Sequence, residues 1–314
     1  MNREYHDGQE DGLIPLQSLD VKKTGTFQEM LRQMSRTAFG ARSLGEALDV
    51  LTAMAQDPDC AIIVTVSGAM TVAKMGRVLC DMIENGLAHM VISTGAIMAH
   101  GLTESIGCLH YKHNPEVPDD KLFEWGYNRV YDTLEKEESL ATAERVVSAV
   151  LDTFDWSEPA CSHEITSAIG KHLAGQGLMP SILGCAWKKG VPVYIPAFTD
   201  SELGLDVCTH TMAQDFKKGD EKDIDAFFSL PPRFNPFKDV YDYAKRVMKA
   251  RKIGIFTIGG GVPRNWAQQV APFIDIINAR IGSELRTPRF QYGIRICPEP
   301  VHWGGLSGCT YIEG

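Results

Sequence analysis

The sequence predicts an α/β protein with a doubly wound, mostly parallel sheet and an N-terminal helical extension. Three observations predict it. Continuous apolar, β-rich runs recur along the chain; each ends in a turn of small residues; and each turn passes into a segment of helical periodicity. A run that is apolar at every position suits a strand buried on both faces of a parallel sheet. Strand, small-residue turn, helix and strand again is the grammar of a βαβ unit.

The elements follow in order. The first dozen residues, MNREYHDGQEDG, are polar and read as part of a loose tail over residues 1–25. From Thr26 to Gln56, apolar residues at helical spacing (Phe27, Met30, Leu31, Met34, then Leu44, Ala47, Leu48, Leu51, Met54) predict two helices broken near Gly40 and Arg42. Ala61-Ile-Ile-Val-Thr-Val66 is the first strand, ends in Ser67-Gly68 and leads into a helix carrying Val72, Met75, Val78, Leu79, Met82 and Ile83, with Gly86 as its stop. His89–Ser93 is the second strand and ends in Thr94-Gly95-Ala96. Residues 108–138 are polar, aromatic and irregular, which predicts a long loop with short elements. Residues 139–154 and 237–250 read as helices, Val191–Ile195 as a strand ending in Pro196–Asp200, and Ile253–Ile258 as a strand ending in Gly259-Gly260-Gly261. No linker or short repeat interrupts this pattern, so residues 26–314 are expected to form one domain.

Composition narrows the function. With 44% apolar and 23% charged residues in 314, the chain has the means to build a core, which excludes a wholly disordered protein. Thirty-one basic against 40 acidic residues give a net charge of −9, a poor balance for neutralising phosphate, so no nucleic-acid partner is expected. No basic segment leads into an apolar run at the N-terminus and no 18-residue apolar stretch occurs, so no membrane partner is expected either. The eight cysteines are scattered without a CxxC pair, which fits buried free thiols in a reducing cytoplasm better than a disulfide frame.

The strand-end turns carry the first functional expectation. In open parallel sheets ligands bind beyond the C-terminal ends of the strands. Glycine there lets backbone N–H groups approach a phosphate, helped by the N-terminus of the following helix. Ser67-Gly68, Thr94-Gly95-Ala96 and Gly259-Gly260-Gly261 together point to a dinucleotide or phosphate ligand, although no GxGxxG is present and tight βα turns alone would also look like this. Asp200 at the fourth turn could accept hydrogen bonds from a ribose or serve as a helix N-cap. Cys108, His110 and His113 lie together in CLHYKH, but the spacing matches no standard zinc set and a fourth ligand is not evident; a polar loop, and no metal, is the expectation. No GxSxG is present, which removes the common serine-hydrolase reading. The C-terminal segment 297–314 is Gly- and Pro-rich yet carries His302, Trp303, Tyr311 and Glu313, which suits a loop closing over a ligand; its texture stops at Gly314 and reads as a truncation.

The segments VTVSGAM (64–70), VISTGA (91–96), GYNRVYD (126–132), VPVYIPAFTDSELG (191–204), IGGGVPRNWAQQ (258–269) and PEPVHWGGLSGCTYIEG (298–314) occur in one order over about residues 25–314. On these residues the chain resembles the deoxyhypusine synthase family, and more closely its bacterial deoxyhypusine-synthase-like branch. The resemblance implies a doubly wound fold that binds NAD and assembles as a homotetramer with active sites between subunits. It places Ser67, Thr71, Thr94, Gly95, Asp200, Gly259, Gly260 and Gly261 on cofactor-binding positions, and His100, Asn265, Gln269, His302, Trp303 and Glu313 around the polyamine substrate. It also implies the chemistry: NAD takes a hydride from the secondary amine of spermidine, a lysine captures the imine, diaminopropane leaves, and the aminobutyl group moves to an acceptor amine as the hydride returns.

Two departures from the family pattern modify that expectation. The family segment runs on into Val-Ser-Trp-Gly-Lys, whose lysine forms the imine; this lysine would lie beyond Gly314, so the chain as it stands is not expected to perform lysine-linked transfer. Leu205 stands where the family has an acid, with Asp206 adjacent, Asn265 stands for a histidine, and an acid near Leu306 and a carboxylate near His100 are also replaced. Fewer acids weaken selection for a doubly cationic polyamine. The expected function is a deoxyhypusine-synthase-like, NAD-dependent transferase moving an aminoalkyl (aminobutyl) group from a polyamine to an amine acceptor, and the resemblance to the bacterial branch implies a small amine as the more natural acceptor. A homospermidine-synthase-type enzyme and a catalytically silent NAD-binding subunit are the alternatives.

Overall fold

The computed structural model describes residues 5–176, 180–217, 219, 222–298, 300 and 302. The chain falls into two compact units, Met1–Pro58 and Asp59–Gly314. The first contains α1 (Phe27–Met34) and α2 (Phe39–Gln56). Thr26 and Glu29 form a reciprocal capping box at the start of α1. The break between the helices falls at residues 35–38, earlier than Gly40 and Arg42. The reason is packing as much as local propensity: Gly45 in α2 lies directly against the Ser35 and Leu31 backbone, where any side chain would collide. The chain must therefore reverse before Gly40, and Phe39 takes a left-handed φ of 56° to do it.

The second unit runs β1 (Cys60–Val66), α3 (Gly76–Glu84), β2 (Met90–Ile92), α4 (Ala96–Ser105), β3 (His110–Lys112), α5 (Asp119–Glu124), β4 (Tyr127–Val130), β5 (Thr133–Lys136), α6 (Glu137–Leu151), α7 (Ser162–Gln176), α8 (Ile182–Lys189), β6 (Val193–Tyr194), α9 (Glu202–Asp215), α10 (Ile224–Phe227), α11 (Pro236–Lys249), β7 (Lys252–Ile258), α12 (Gly261–Gln268), α13 (Val270–Ile281) and β8 (Phe290–Ile296). Five strands form an open sheet in the order β6-β2-β1-β7-β8, every neighbouring pair parallel. The order reverses between β1 and β7, so the topological switch point lies there. All the strands expected from apolar runs are present in this sheet. Segment 108–138, expected as a long loop with short elements, contains the short elements β3, α5, β4 and β5, and its three strands pair as a small antiparallel sheet, which the sequence did not show. Its polar strands hid the pattern, because only Leu134 and Glu135 of β5 are buried.

Strand residues are buried on both faces, as a central parallel sheet requires. Ile63, Met90, Ile92, Tyr194, Ile253 and Ile255 pack against Tyr243, Ala244 and Val247 of α11, Ala267 of α12 and Val270 of α13. The alternate residues Ile62, Val64 and Val66 are equally buried. Two polar links tie the interior to the sheet. Asp239 of α11 accepts from the Ser162 and His163 N–H groups at 3.0 Å each and contacts His163 Nδ1 at 2.8 Å, holding the start of α7. Ser162 Oγ in turn accepts from the Ile195 N–H at the end of β6, at 2.8 Å. The seven described cysteines are free. Among the described residues no helix is long and apolar enough to cross a membrane.

Candidate functional site

The turns at the C-terminal ends of β6, β2, β1 and β7 stand side by side and interlock. Ser67 N–H donates to the Ile258 carbonyl at 3.0 Å, and Ser93 Oγ donates to the Val66 carbonyl at 2.8 Å, so backbone pairing continues to the lip of the sheet. Each turn then presents a glycine to its neighbour. A Cβ on Gly259 would sit 2.8 Å from Ser67 Cβ; one on Gly68 would sit 2.7 Å from both Ala96 Cβ and Ile97 N; one on Gly95 would fall inside Ser201. Gly259 also has a φ of 90°, which side chains rarely adopt. Both readings of the glycines therefore hold in part: they are needed for turns to nest, and the nesting brings four turns into one cluster at the switch point.

Of the residues expected at the cofactor, Ser67, Gly68, Thr94, Gly95 and Gly259 are in contact through this chain of turns. Thr71 is buried and its Oγ1 donates to the Gly68 carbonyl at 2.9 Å, so it braces the first turn. Helices α4 and α12 begin on Gly95 and Gly260, and neither N-terminus has a side-chain cap. The first N–H groups of a helix lack partners within it, so uncapped N-termini beside a small-residue turn suit an anion. The alternatives left open for Asp200 separate here. Ser201 caps α9, its Oγ accepting from Gly204 N–H at 3.2 Å, and Asp200 is left exposed on the turn without a capping task. At α4 the Ile97 and Met98 N–H groups already donate to the Thr94 and Gly95 carbonyls, so the first turn is partly satisfied by the backbone.

Beside the turns lies a polar cluster. His100, on α4, contacts Glu135 Oε2 through Nδ1 at 2.6 Å, and Thr103 Oγ1 donates to Glu135 Oε1 at 2.6 Å. Burial pushes the Glu135 carboxyl up, but its contacts with His100, His110 and Thr103 outweigh that and hold it below the usual carboxylate range. Glu202 feels the reverse: partial burial and the Glu135 charge push its carboxyl up. Asp206, one turn further along α9, is pushed up to about 6 by burial, then by Glu202 and Glu144.

The Asp206 shift has a stability consequence. A raised acid binds its proton more tightly folded than unfolded, so the penalty is absent below pH 4, grows as pH rises to about 6 and persists above. Asp206→Asn is expected to raise stability at pH 7.5 by about 1 kcal/mol, allowing for partial solvent screening, with no gain at pH 4. Thermal melts at both values check this; equal gains at the two would contradict it.

Asn265 and Gln269 are exposed at the outer part of α12 and its C-terminal end, and His302 is exposed. Trp303 and Glu313 lie outside the described residues. The CLHYKH residues do not come together as a ligand set: His113 Nε2 lies by the Val117 carbonyl at 3.3 Å, while His110 meets His100 and Glu135. Glu135 was missed in the sequence. Nothing in TLEK marks it, because its partners are about 25 to 35 residues away on other elements.

An open parallel sheet with its glycine turns gathered at the switch point defines an α/β protein of the doubly wound class. The deoxyhypusine synthase family model matches residues 29–314. "Probable deoxyhypusine synthase 2" of Methanosarcina mazei is 32% identical over 301 residues, covering 95% of this chain and 80% of the relative. The "deoxyhypusine synthase-like protein" of Chlorobaculum tepidum is 29% identical over 303 residues, with the same coverage. A crystal structure from Entamoeba histolytica described as a "putative deoxyhypusine synthase" shares the fold at a TM-score of 0.53 and 14% identity, covering 79% of this chain and 80% of that one. The chain belongs to the deoxyhypusine synthase family.

Proposed function

We propose that this chain binds NAD across the strand-end turns and moves an aminoalkyl (aminobutyl) group from a polyamine to an amine acceptor. The observation that supports it best is the junction of β1 and β7, where Ser67 packs on Gly259 and the turns on either side of β1 each start a helix without a side-chain cap, in a member of this family. NAD, when bound, supplies the hydride acceptor and returns the hydride at the end. The chain's residues supply the rest. Amides at Gly95, Gly260 and Gly261 hold the phosphates. Asp200 accepts from ribose hydroxyls, and Ser67, Thr71 and Thr94 shape the floor. Asn265 and Gln269, with His100, His302, Trp303 and Glu313 as the family likeness assigns them, line the amine site. The imine-forming lysine implied by the likeness matches no position of residues 1–314 and carries none of this argument.

The replacement of family acids, with Leu205 exposed where one would stand, accords with weaker selection for a doubly cationic polyamine donor; likeness to the bacterial branch favours a small amine over a protein lysine as acceptor. Assembly as a homotetramer accords with large apolar side chains exposed along α11, Phe237 and Tyr241 among them. A cytoplasmic location accords with the free thiols. The test is calorimetric titration of NAD into protein whose mass in solution has been measured, with four chains expected per particle. Asp200→Asn is expected to weaken NAD binding at least tenfold, about 1.4 kcal/mol. Absence of NAD binding by the unaltered chain defeats the proposal. Product analysis with polyamine and putrescine then separates homospermidine formation from protein modification.

A further inference from the structure

We infer that His100, His110 and Glu135 form a binding site for a divalent transition metal of the zinc class, one per chain. One nitrogen from each imidazole and a carboxylate oxygen lie within 4.8 Å of one another. They come from three elements, α4, β3 and β5, so the fold rather than local sequence assembles them. Two histidines and one carboxylate, with a fourth position open to water, is a recurring zinc ligand set.

The decisive atom is His110 Nε2. The His110 side chain is 2% exposed, as is Glu135, and Nε2 makes no hydrogen bond; the nearest acid oxygen, Glu135 Oε1, is 3.5 Å away. A buried, orphaned imidazole nitrogen is costly unless something occupies the space before it. The 3.5 Å gap is too long for a made hydrogen bond and close to the separation of about 3.3 Å between two ligands of a tetrahedral zinc at 2.0–2.1 Å. His100 Nδ1, at 2.6 Å from Glu135 Oε2, needs to part from it by less than an ångström to share the ion.

The surroundings are built as such a site needs. Thr103 Oγ1 donates to Glu135 Oε1 at 2.6 Å, which orients the carboxylate. Lys74 Nζ stands 2.8 Å from His110 Nδ1 and 3.1 Å from Glu104 Oε1. On metal binding each imidazole shifts its proton to the nitrogen away from the ion, so His110 Nδ1 becomes a donor, the Lys74 ammonium must swing off it, and Lys74 keeps Glu104 as its partner. Lys74 sits at a left-handed φ of 64°, an uncommon backbone state for a side chain of its size, beside this cluster. A second group, Cys161, His163 and Asp239, is equally close-set, but both Asp239 oxygens are committed to backbone N–H groups and no member is orphaned.

Titration of Co²⁺ alone into untagged, chelator-treated full chain tests this, read by its visible absorption and by equilibrium dialysis. One ion per chain is expected, with the intense bands of a four-coordinate ion and no thiolate-to-cobalt charge transfer. His110→Asn should abolish binding, and Thr103→Val should weaken it 10- to 100-fold. Glu135→Gln provides a second ligand deletion should His110→Asn fail to fold, which circular dichroism reports. Cys161→Ser should bind as the unaltered chain does. No binding by the unaltered chain, unchanged binding by both ligand variants, or a thiolate charge-transfer band would overturn the assignment. The NAD titration is a separate readout, so failure here leaves the dinucleotide reading standing, and the reverse.

Discussion

Gly95→Ala is expected to lose NAD affinity by more than tenfold and to melt several degrees lower. The added methyl falls inside the Ser201 side chain, so either the β2 turn or the β6 turn must move. Overpacking of this kind costs roughly 1–3 kcal/mol, which for a chain of this size is a fall of a few degrees in Tm. The displacement lands on the start of α4, which has no side-chain cap and adjoins the proposed phosphate site. Ser201→Gly removes the obstructing side chain and weakens the α9 cap by only a few tenths of a kcal/mol, because glycine is tolerated at N-caps. The double variant should therefore recover most of both losses. If Gly95→Ala alone binds NAD and melts like the unaltered chain, nesting of the turns is not what the glycine serves.

Asp239→Ala is expected to cost about 3–5 kcal/mol of unfolding free energy, the range for stripping one partner from a buried ionic and hydrogen-bonded group. The Asp239 carboxylate serves the Ser162 and His163 N–H groups and the His163 ring at once, and it is almost wholly buried. Its removal leaves two helix-start amides without an acceptor. Because Ser162 Oγ accepts from Ile195 N–H, the damage reaches the strand that carries the Asp200 turn. Asp239→Asn retains one acceptor and should lose about half as much. Urea unfolding of both variants measures this; a loss below about 1 kcal/mol for the alanine would show that α7 is held by other means.

Much of the parallel sheet was legible because a fully buried strand must be almost wholly apolar, and residues 61–66 and 253–258 are, Thr65 and Thr257 satisfying each other's hydroxyls across the sheet. The turns were legible because small residues at strand ends stand out against long side chains. The helix break was placed too late because the signal that sets it, Gly45 against Ser35, is a contact between residues ten apart and not a property of either. The small antiparallel sheet was read as loop because its strands are short and mostly exposed, so period-two alternation had too few positions to show. CLHYKH drew attention to His110 for the wrong company: neighbours along a strand point to opposite faces, and the true partners come from α4 and β5.

By itself the sequence determined the class of fold, the strand ends whose turns gather at the switch point, and family membership, because these depend on local composition and on segments kept in order. Only the tertiary structure decided which glycines answer to which neighbour, that Ser201 and not Asp200 caps α9, and that His100, His110 and Glu135 share one buried space. Those are facts about distances between separate elements. The strand order β6-β2-β1-β7-β8 sets them, by laying the β7 turn beside the β1 turn across nearly 200 residues of chain.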